Sequence, residues 1–349
     1  MSRALVTGGA GFVGTNLADR LLCDGGEVVV LDDLSRQGVE RNLDWLRARH
    51  GKRVIVEEAD VADRRAVRRA MRGVSQVFHL AGQTAVTTSM TDPMGDAHVN
   101  LQGTLAVLEE MRRLDDPPSL IFTSTNKVYG GLDDVPLAQE DGRYQPTDAR
   151  LLARGVGSDR PLDFCTPNGA SKGAADQYVL DYANSFGLIT SVLRMSCIYG
   201  PHQCGNEDQG WVAHFLIRAL DGEPITIYGD GRQVRDVLFV DDLVEAFLRV
   251  AERAPQLSGR AFNVGGGPAN AVSLLDVLDV IGELTEPPEV EFGDWRAGDQ
   301  RYYCSDVSEL RSATGWRPRV RPDEGIRRLH DWLCGESDTR ASASAVSAA

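Results

Sequence analysis

Short apolar strands alternate with helical segments from the first residues of the chain. Segments with helical spacing, such as FVGTNLADRLLCDGG, separate five apolar runs: RALVTGG, EVVVLDD, RVIVEEAD, SQVFHLAG and SLIFTSTN. Because these runs are largely continuous rather than alternating with polar residues, both faces of the sheet have to be covered, which is typical of parallel sheets. We therefore predict an α/β protein with a doubly wound parallel sheet, in which LITSVLRMS forms a sixth strand.

The strand–helix alternation weakens in the second half of the chain. Beyond Tyr199 it gives way to shorter elements, such as WVAHFLIRALDG and ITIYGDG. We predict a larger domain over residues 1–187 and a smaller substrate domain mainly over 188–334. The two are interleaved, so that late segments contribute to either domain. Residues 335–349 are rich in Ser and Ala and lack an apolar period, and we predict a disordered tail there.

The composition argues against several classes of protein. A formal net charge of −14 over 349 residues disfavours a nucleic acid or an anionic membrane as partner. No apolar run reaches the ~18–20 residues that a membrane-spanning helix needs, and the chain starts directly with a strand rather than a signal peptide. The six cysteines are scattered without metal-ligand spacing. We therefore predict reduced thiols, no metal site and a cytoplasmic location.

A glycine-rich turn joins the first strand to the first helix. The segment VTGGAGFVG contains Gly8, Gly11 and Gly14. Such glycines allow a tight turn and a close approach to a pyrophosphate. Phe12 and Val13 begin the helix that follows, and its N-terminus presents free N–H groups to the phosphates. We predict a Rossmann-type dinucleotide site at this turn. The alternative is an ordinary tight turn.

Two acids end the second strand. Asp32 and Asp33 lie about 20 residues after the glycine turn. A carboxylate at this place accepts hydrogen bonds from the ribose diol and repels a 2′-phosphate, so we predict NAD rather than NADP as cofactor. Arg36 argues mildly for NADP, and the alternative for either acid is a solvated surface position.

Two later strand exits fit the same cofactor. Asp60 and Val61 follow the third strand, where an acid can hold the adenine amino group. Ala81 and Gly82 follow the fourth strand, and their small size lets the backbone lie against the dinucleotide. Each segment could also be an ordinary strand exit.

Eight motifs occur in an order that resembles a known family. They are VTGGAGFVG, HLAG, TSTNKVYG, GASK, RMSCIYGP, GDGRQVRDVLFVDD, FNVGGG and GDQR. The chain resembles an extended short-chain dehydrogenase/reductase of the NAD-dependent sugar-nucleotide epimerase/dehydratase group. Within the group, STNKVYG, GASKGAADQYVLDYANSFGL and DQGWV are most similar to the CDP-sugar 2-epimerases. The resemblance implies bound NAD, a nucleotide-sugar substrate and transient oxidation of a sugar carbinol; we also expect a homodimer.

The resemblance also assigns roles to single residues. Thr125 falls where the family has a hydroxyl that bonds the reacting sugar oxygen, and Lys172 falls on the lysine that bonds the nicotinamide ribose. Two arginines fall on positions that commonly hold the diphosphate, although each could instead form a surface ion pair with a nearby acid. The predicted substrate-binding residues are Gln83, Thr125, Asn126, Trp211, Arg235 and Arg301.

The chain departs from the family at the position of the catalytic base. The family pattern is YxxxK, but this chain reads NGASK, with Asn168 four residues before Lys172. A tyrosine whose pKa is lowered by an adjacent cation can take the sugar hydroxyl proton, whereas an asparagine amide can only orient it. Losing a general base typically costs ~10²–10⁴ in rate.

Three interpretations of Asn168 remain open. Asn168 is natural and another group moves the proton, with Lys127 as the first candidate and Cys165 and His202 as weaker ones. Alternatively, Asn168 is an engineered substitution that traps substrate, or the protein binds NAD and nucleotide sugar without turning the sugar over. A dehydratase is the competing enzyme class. It usually needs an acid beside Thr125, where this chain has Asn126 and Lys127.

Overall fold

The computed structural model describes residues 2–296 and 298–347. The strands within these residues are β1 (Arg3–Thr7), β2 (Glu27–Asp32), β3 (Val54–Glu58), β4 (Gln76–His79), β5 (Ser119–Thr125), β6 (Leu137–Glu140), β7 (Arg143–Pro146), β8 (Thr190–Met195), β9 (Cys197–Tyr199), β10 (Ile225–Tyr228), β11 (Val234–Phe239), β12 (Arg260–Val264), β13 (Ala271–Ser273), β14 (Val290–Gly293) and β15 (Tyr302–Tyr303).

Helices occupy much of the remaining chain. The α-helices of the described residues are α1 (Phe12–Cys23), α2 (Val39–His50), α3 (Arg64–Ala70), α4 (Val86–Thr91), α5 (Pro93–Ala97), α6 (Gly103–Met111), α7 (Ala149–Arg154), α8 (Pro167–Phe186), α9 (Trp211–Leu220), α10 (Val240–Ala251), α11 (Ala254–Leu257), α12 (Leu274–Gly282), α13 (Ser308–Thr314) and α14 (Pro322–Ser347). A π turn over His98–Gln102 links α5 to α6.

The central sheet has seven parallel strands in the order β12-β8-β5-β4-β1-β2-β3. The strand order reverses between β1 and β4, since the chain runs outward from β1 through β2 to β3 and then returns to β4 on the other side. In sheets of this kind a crevice opens at the carboxyl ends of the strands beside that reversal. The predicted Rossmann-type α/β fold is confirmed.

Apolar residues cover both faces of this sheet. On one face α1, α2 and α10 bury residues such as Leu17, Leu46 and Phe247. On the other face α3, α6 and α8 bury residues such as Leu108 and Val179. The inner strands β1, β2, β4, β5 and β8 are mostly buried, which explains why their sequences are continuously apolar, whereas the edge strand β3 is only partly buried.

The second lobe is smaller and is tied into the first. Its core lies between α9, α12, α14 and the strands β10 and β11. Strand β11 pairs with β9, β13 and β15, and β10 pairs with β14. Strands β8 and β12 follow residue 187 in the chain but belong to the seven-stranded sheet, as the predicted interleaving of late segments allowed.

The last helix continues beyond the point where the sequence predicts disorder. Helix α14 ends at Ser347, whereas the predicted tail begins at residue 335. The segment after Gly335 is rich in Ala, a strong helix former, and contains neither Pro nor Gly.

Among the described residues no helix combines the length and apolar character needed to span a bilayer.

Candidate active site

A cleft of about 690 Å³ lies where the carboxyl ends of the central strands face the second lobe. Side chains and backbone from both lobes line it. All but one of the site residues predicted from the sequence are among the lining residues: Gly8, Gly11, Phe12, Val13, Gly14, Asp32, Asp33, Asp60, Val61, Ala81, Gln83, Thr125, Asn126, Lys127, Asn168, Lys172, Trp211 and Arg235. The exception is Arg301.

The glycine turn brings backbone against backbone. Gly8 has a φ of +66°, and a Cβ on Gly8 would lie 2.8 Å from the amide nitrogen of Ala81. A Cβ on Gly14 would lie 2.2 Å from the carbonyl oxygen of Gly8, so α1 can pack here only because residue 14 has no side chain. Gly11 caps α1 without a side-chain hydrogen bond, which leaves the helix N-terminus open to the cleft. These features fit the pyrophosphate of a dinucleotide.

Asp32 is held in a fixed orientation beside this turn. Its carboxylate accepts hydrogen bonds from the backbone N–H of Ala10 and of Leu34, both at 3.0 Å. Burial raises the pKa of Asp32, and these two N–H groups oppose the rise. The carboxylate borders the cleft at the carboxyl end of β2, where it fits the ribose diol of an adenine dinucleotide.

The other predicted cofactor residues form the neighbouring wall. Asp60 accepts a hydrogen bond from His98 Nε2 at 2.9 Å, and this contact raises the pKa of His98. Val61 is buried, and Ala81 lies directly against Gly8. The side chain of Asp60 keeps substantial exposure, so it remains accessible from the cleft.

Thr125 and Lys127 lie together at the end of β5. The Thr125 hydroxyl accepts the backbone N–H of Lys127 at 3.2 Å and so begins the turn over Asn126–Tyr129. The half-buried Lys127 donates from Nζ to the carbonyl oxygen of Gly298 at 3.1 Å. Burial lowers the pKa of Lys127, and the nearby Arg235 lowers it further, while Asp299 partly opposes them. Lys127 therefore loses its proton more readily than an exposed lysine does.

Lys172 lies under the opposite side of the cleft, on α8. Its Nζ donates to the carbonyl oxygen of Thr123 at 3.1 Å and lies 4.9 Å from the centre of the Phe122 ring. Burial lowers the pKa of Lys172 to about 8, and Asp96 works against that shift. Gly82 leaves room for this ammonium group, because a Cβ there would lie 2.6 Å from Nζ.

Asn168 occupies the first turn of α8 and is almost fully buried. Thr166 caps the helix by accepting the N–H of Gly169 at 3.1 Å, and Pro167 occupies the first turn. The Asn168 side chain donates to the carbonyl oxygen of Gln83 at 3.0 Å and to Asp96 at 3.3 Å. The position that carries a phenol in the family pattern thus carries an amide whose nitrogen is already paired inside the protein.

Of the two arginines predicted to hold the diphosphate, Arg235 lines the cleft and Arg301 does not. Arg235 is buried, lines the cleft and pairs with Asp299 at 2.8 Å. Arg301 is exposed and packs over the rings of Tyr144 and Trp295, outside the cleft. Instead, Arg296 lines the cleft on the same loop, as does Asp299, which lies beyond the turn at Gly298.

Several residues of the cleft were not predicted from the sequence. Arg296 lies over the Tyr228 ring, 3.7 Å from its centre, and pairs with Glu207 and Asp208. The hydroxyl of Ser124 is buried and has no hydrogen-bond partner within residues 2–296 and 298–347. The strand exit TSTN could have indicated Ser124, because it lies between two residues that line the same cleft.

Two weaker candidates for the proton-moving group lie elsewhere. Cys165 is exposed and does not line the cleft. His202 is buried between the rings of Trp45 and Trp332, and burial lowers its pKa to about 4. The Cys165 thiol lies close enough to Lys127 to act on the pKa of that lysine, whereas His202 is held between its two tryptophans.

One group of potential metal ligands also lies away from the cleft. Asp19, Cys23 and His50 bring their ligand atoms within 4.8 Å of one another. The carboxylate of Asp19 accepts hydrogen bonds from His50 and pairs with Arg49 at 2.9 Å, and Arg53 donates to the other nitrogen of His50. These cations satisfy the group and disfavour a metal ion.

Sequence comparison places the chain in a family. The model of the NAD dependent epimerase/dehydratase family matches residues 4–265. The chain belongs to this family. The CDP-paratose 2-epimerase of Salmonella typhi is 37% identical over 339 residues, which cover 95% of this chain and 98% of that protein. The dTDP-glucose 4,6-dehydratase 1 of Escherichia coli (strain K12) is 29% identical, with 95% and 92% of the two chains covered.

A solved structure supports the same assignment. The UDP-glucose 4-epimerase of Thermus thermophilus, crystallised as a complex with NAD, superimposes with a TM-score of 0.80 at 34% identity. The match covers 95% of this chain and 99% of that structure. NAD is the cofactor of the family, and the NAD prediction made from the glycine turn and Asp32 is confirmed. Family members include both epimerases and dehydratases.

Proposed function

We propose that this family member is a nucleotide-sugar epimerase that inverts one carbinol of a CDP-sugar by transient oxidation. The observation that carries the proposal is the single cleft in which the dinucleotide wall, the Thr125 hydroxyl, two lysines and Arg235 meet. The 37% identity to a CDP-paratose 2-epimerase over almost the whole chain favours a CDP-sugar and a 2-epimerisation.

The first lobe supplies the cofactor site. When bound, NAD would supply the hydride acceptor for the oxidation of the carbinol and the hydride donor for its reduction. The N-terminus of α1 would hold the pyrophosphate, Asp32 the adenosine ribose diol, and Lys172 the nicotinamide ribose. The open N-cap at Gly11 and the fixed carboxylate of Asp32 support these roles.

The second lobe supplies charges for the diphosphate. Arg235 and Arg296 line the cleft, and both are paired with carboxylates of neighbouring loops. A guanidinium presents two parallel donors to phosphate oxygens, so either arginine can exchange its carboxylate partner for the diphosphate. Gln83 is suited to the sugar, because its Oε1 is buried without a hydrogen-bond partner within the described chain.

Lys127 is the group we assign to proton transfer. It follows Thr125 by two residues, its side chain borders the cleft, and its environment shifts it toward the neutral amine. A neutral amine can accept the sugar hydroxyl proton as hydride leaves and return it when hydride comes back. The Thr125 hydroxyl orients the reacting oxygen. The Asn168 amide can orient the sugar hydroxyl by a hydrogen bond, but it cannot accept the proton.

A dehydratase is the second candidate, favoured by the identity to the dTDP-glucose 4,6-dehydratases. Elimination of water needs an acid close to Thr125. The two residues that follow are Asn126, which donates to Gln300 Oε1 at 3.3 Å, and Lys127. The nearby carboxylate of Asp299 is engaged by Arg235. This arrangement favours epimerisation over loss of water.

An assay with purified protein tests the reaction class. We expect CDP-paratose, or a related CDP-sugar, to equilibrate with its 2-epimer in NMR spectra without release of water. Formation of a keto-deoxy sugar would instead establish a dehydratase. Bound NAD with no turnover of CDP-, UDP-, GDP- or dTDP-sugars would establish a binding protein. Mass spectrometry of small molecules that co-purify gives an independent identification.

Replacing Asp32 with Ala is expected to weaken the binding of NAD by roughly 1.5–3 kcal/mol, the value of hydrogen bonds to a charged group. The substitution should also reduce the preference of the protein for NAD over NADP. Titration calorimetry with both cofactors measures this. Asp24→Ala is the control, because Asp24 is exposed, pairs with Arg20 and does not line the cleft. Tighter binding of NADP than of NAD by the unmodified protein would contradict the assignment of Asp32.

Replacing Arg235 with Ala is expected to weaken the binding of CDP by roughly 1.5–3 kcal/mol, because a charge-assisted hydrogen bond to the diphosphate is lost. Arg296→Ala should have a similar effect. Arg301→Ala is the matched control, since Arg301 lies outside the cleft. Equal CDP affinities for the unmodified protein and the Arg235 variant in titration calorimetry would rule out this diphosphate site.

The predicted homodimer and cytoplasmic location remain proposals. An exposed aromatic surface on α8, formed by Tyr178 and Phe186, offers a face for a second copy. All six cysteines are free thiols, which suits a reducing compartment.

A further inference from the structure

Asp96 is a buried acid that the proposed proton transfer does not use. It lies on α5, and only 1% of it is exposed. Three neutral groups donate to its carboxylate: Asn100 Nδ2 at 3.2 Å, Asn168 Nδ2 at 3.3 Å and the hydroxyl of Ser171. The interior beside the cleft thus holds a carboxylate whose hydrogen-bond donors are uncharged.

The contacts of Asn168 fix which end of its amide faces the cleft. The two neighbours of Nδ2 are the carbonyl oxygen of Gln83 and the carboxylate of Asp96. Both groups only accept hydrogen bonds, so the nitrogen and not the oxygen must face them. The Asn168 Oδ1 accepts no hydrogen bond from the described part of the chain, and Asn168 lines the cleft. Oδ1 is therefore available as an acceptor for a ligand hydroxyl.

A π turn completes the support around Asp96. The turn over His98–Gln102 places Asn100 between α5 and α8, where its Nδ2 also reaches the Ser171 hydroxyl at 3.0 Å. Its Oδ1 accepts the backbone N–H of Gln83 at 3.0 Å. Turns of this type often occur at functional sites. The same residue thus holds both the carboxylate and the backbone segment that receives the Asn168 amide.

Asp96 is also the anion that acts on Lys172. Burial pushes Lys172 toward the neutral amine, and Asp96 opposes this. The other described groups that face Lys172 carry no charge that could take this role. They are the carbonyl oxygen of Thr123, the Phe122 ring and His79, which burial keeps neutral with a pKa of about 3. The two residues are linked through Asn100, which donates to Asp96: a Cβ on Gly82 would lie 2.9 Å from the Asn100 Oδ1 and 2.6 Å from the Lys172 Nζ.

We propose that Asp96 is a positioning residue of this site: it turns the Asn168 Oδ1 toward the ligand and acts on Lys172 from the same buried hydrogen-bond network. The proposal rests on the function proposed above, in which Lys172 holds the nicotinamide ribose and Asn168 faces the sugar. Because position 168 has no phenol, the contacts from α8 to the ligands would come from Asn168 Oδ1 and Lys172.

The unmodified protein tests the amide orientation. With ¹⁵N-labelled asparagine, the side-chain amide signals of Asn168 can be assigned by their loss in Asn168→Ala. We expect these protons to exchange slowly with water, because they are donated to a buried carboxylate and a backbone carbonyl. Exchange as fast as that of an exposed asparagine would overturn the orientation.

The variant Asp96→Asn tests the charge. We measure the pH dependence of Lys172 acylation by peptide mass spectrometry, and we expect its midpoint to fall by about one pH unit when the negative charge is removed. Asp176→Asn is the matched control. It removes a different buried carboxylate, on α8, that pairs with Arg194 rather than acting on Lys172. An unchanged midpoint in Asp96→Asn protein that still binds NAD would overturn the proposal.

Activity gives a third readout. In epimerisation assays, Asp96→Asn should move the alkaline limb of the kcat profile down by about one pH unit, since Lys172 loses its proton earlier. Asp176→Asn should leave that limb in place. An alkaline limb that does not move in Asp96→Asn would contradict the role of Asp96. The exchange and acylation measurements need no turnover, so they decide on Asp96 even if the proposed epimerisation fails.

Discussion

Replacing Lys127 with Ala is expected to lower turnover by about 10²–10⁴-fold, the range that a general base contributes. The reason is that position 168 cannot take the proton, whereas Lys127 lies beside Thr125 at the cleft. Cofactor binding should be unchanged, because Lys127 lies on the sugar side of the site. The measurement is kcat for a CDP-sugar, with NAD affinity determined in parallel.

Lys127→Arg is the matched control for charge. Arginine keeps the positive charge but does not deprotonate in proteins, so it cannot act as a base. Both variants should therefore be nearly inactive if Lys127 accepts the proton. Activity retained in Lys127→Arg would mean that the residue only supplies charge. The unmodified enzyme should gain activity as pH rises through the pKa of Lys127, which burial and Arg235 lower from its ordinary value.

Replacing Asn168 with Tyr is the second variant, and its two possible outcomes differ in sign. We expect turnover to fall or stay the same, because the ring would take space in the cleft and would remove both hydrogen bonds of the amide. Asp96 would then lose one of its three donors. If the site were a standard one that merely lacks its phenol, Asn168→Tyr would instead raise turnover by about 10²–10⁴-fold.

The two variants together distinguish the interpretations of Asn168. A large gain for Asn168→Tyr with little effect of Lys127→Ala would show that the tyrosine is the missing base. The opposite pair of results would show a site rebuilt around Asn168. Asn168→Ala is the control for the loss of the amide without the added ring.

The fold of the first lobe could be predicted because its signals are local. Each buried strand is a continuous apolar run, and the glycine turn of residues 8–14 is needed wherever a helix packs this closely on its strand. The residues at the strand exits, such as Asp32 and Thr125, then meet at one edge of the sheet because parallel strands end on the same side.

The substrate side could be predicted less well, because it depends on loops. Arg296 and Arg301 are five residues apart on one loop, and no local pattern in the sequence distinguishes Arg296, which lines the cleft, from Arg301, which does not. Asp96 had no local signal either. Its partners come from the π turn and from α8, more than 70 residues later in the chain for Asn168 and Ser171.

The interleaved path of the chain has a mechanical consequence. Ser196 alone separates β8 in the central sheet from β9 in the second lobe, and α10 begins directly after β11. Each of these connections joins the lobes with one residue or none between two elements, so the lobes are coupled through strands and helices rather than through a long flexible linker. If Arg296 binds a diphosphate as proposed above, this arginine would have to exchange its ion pair with Glu207, which also lines the cleft.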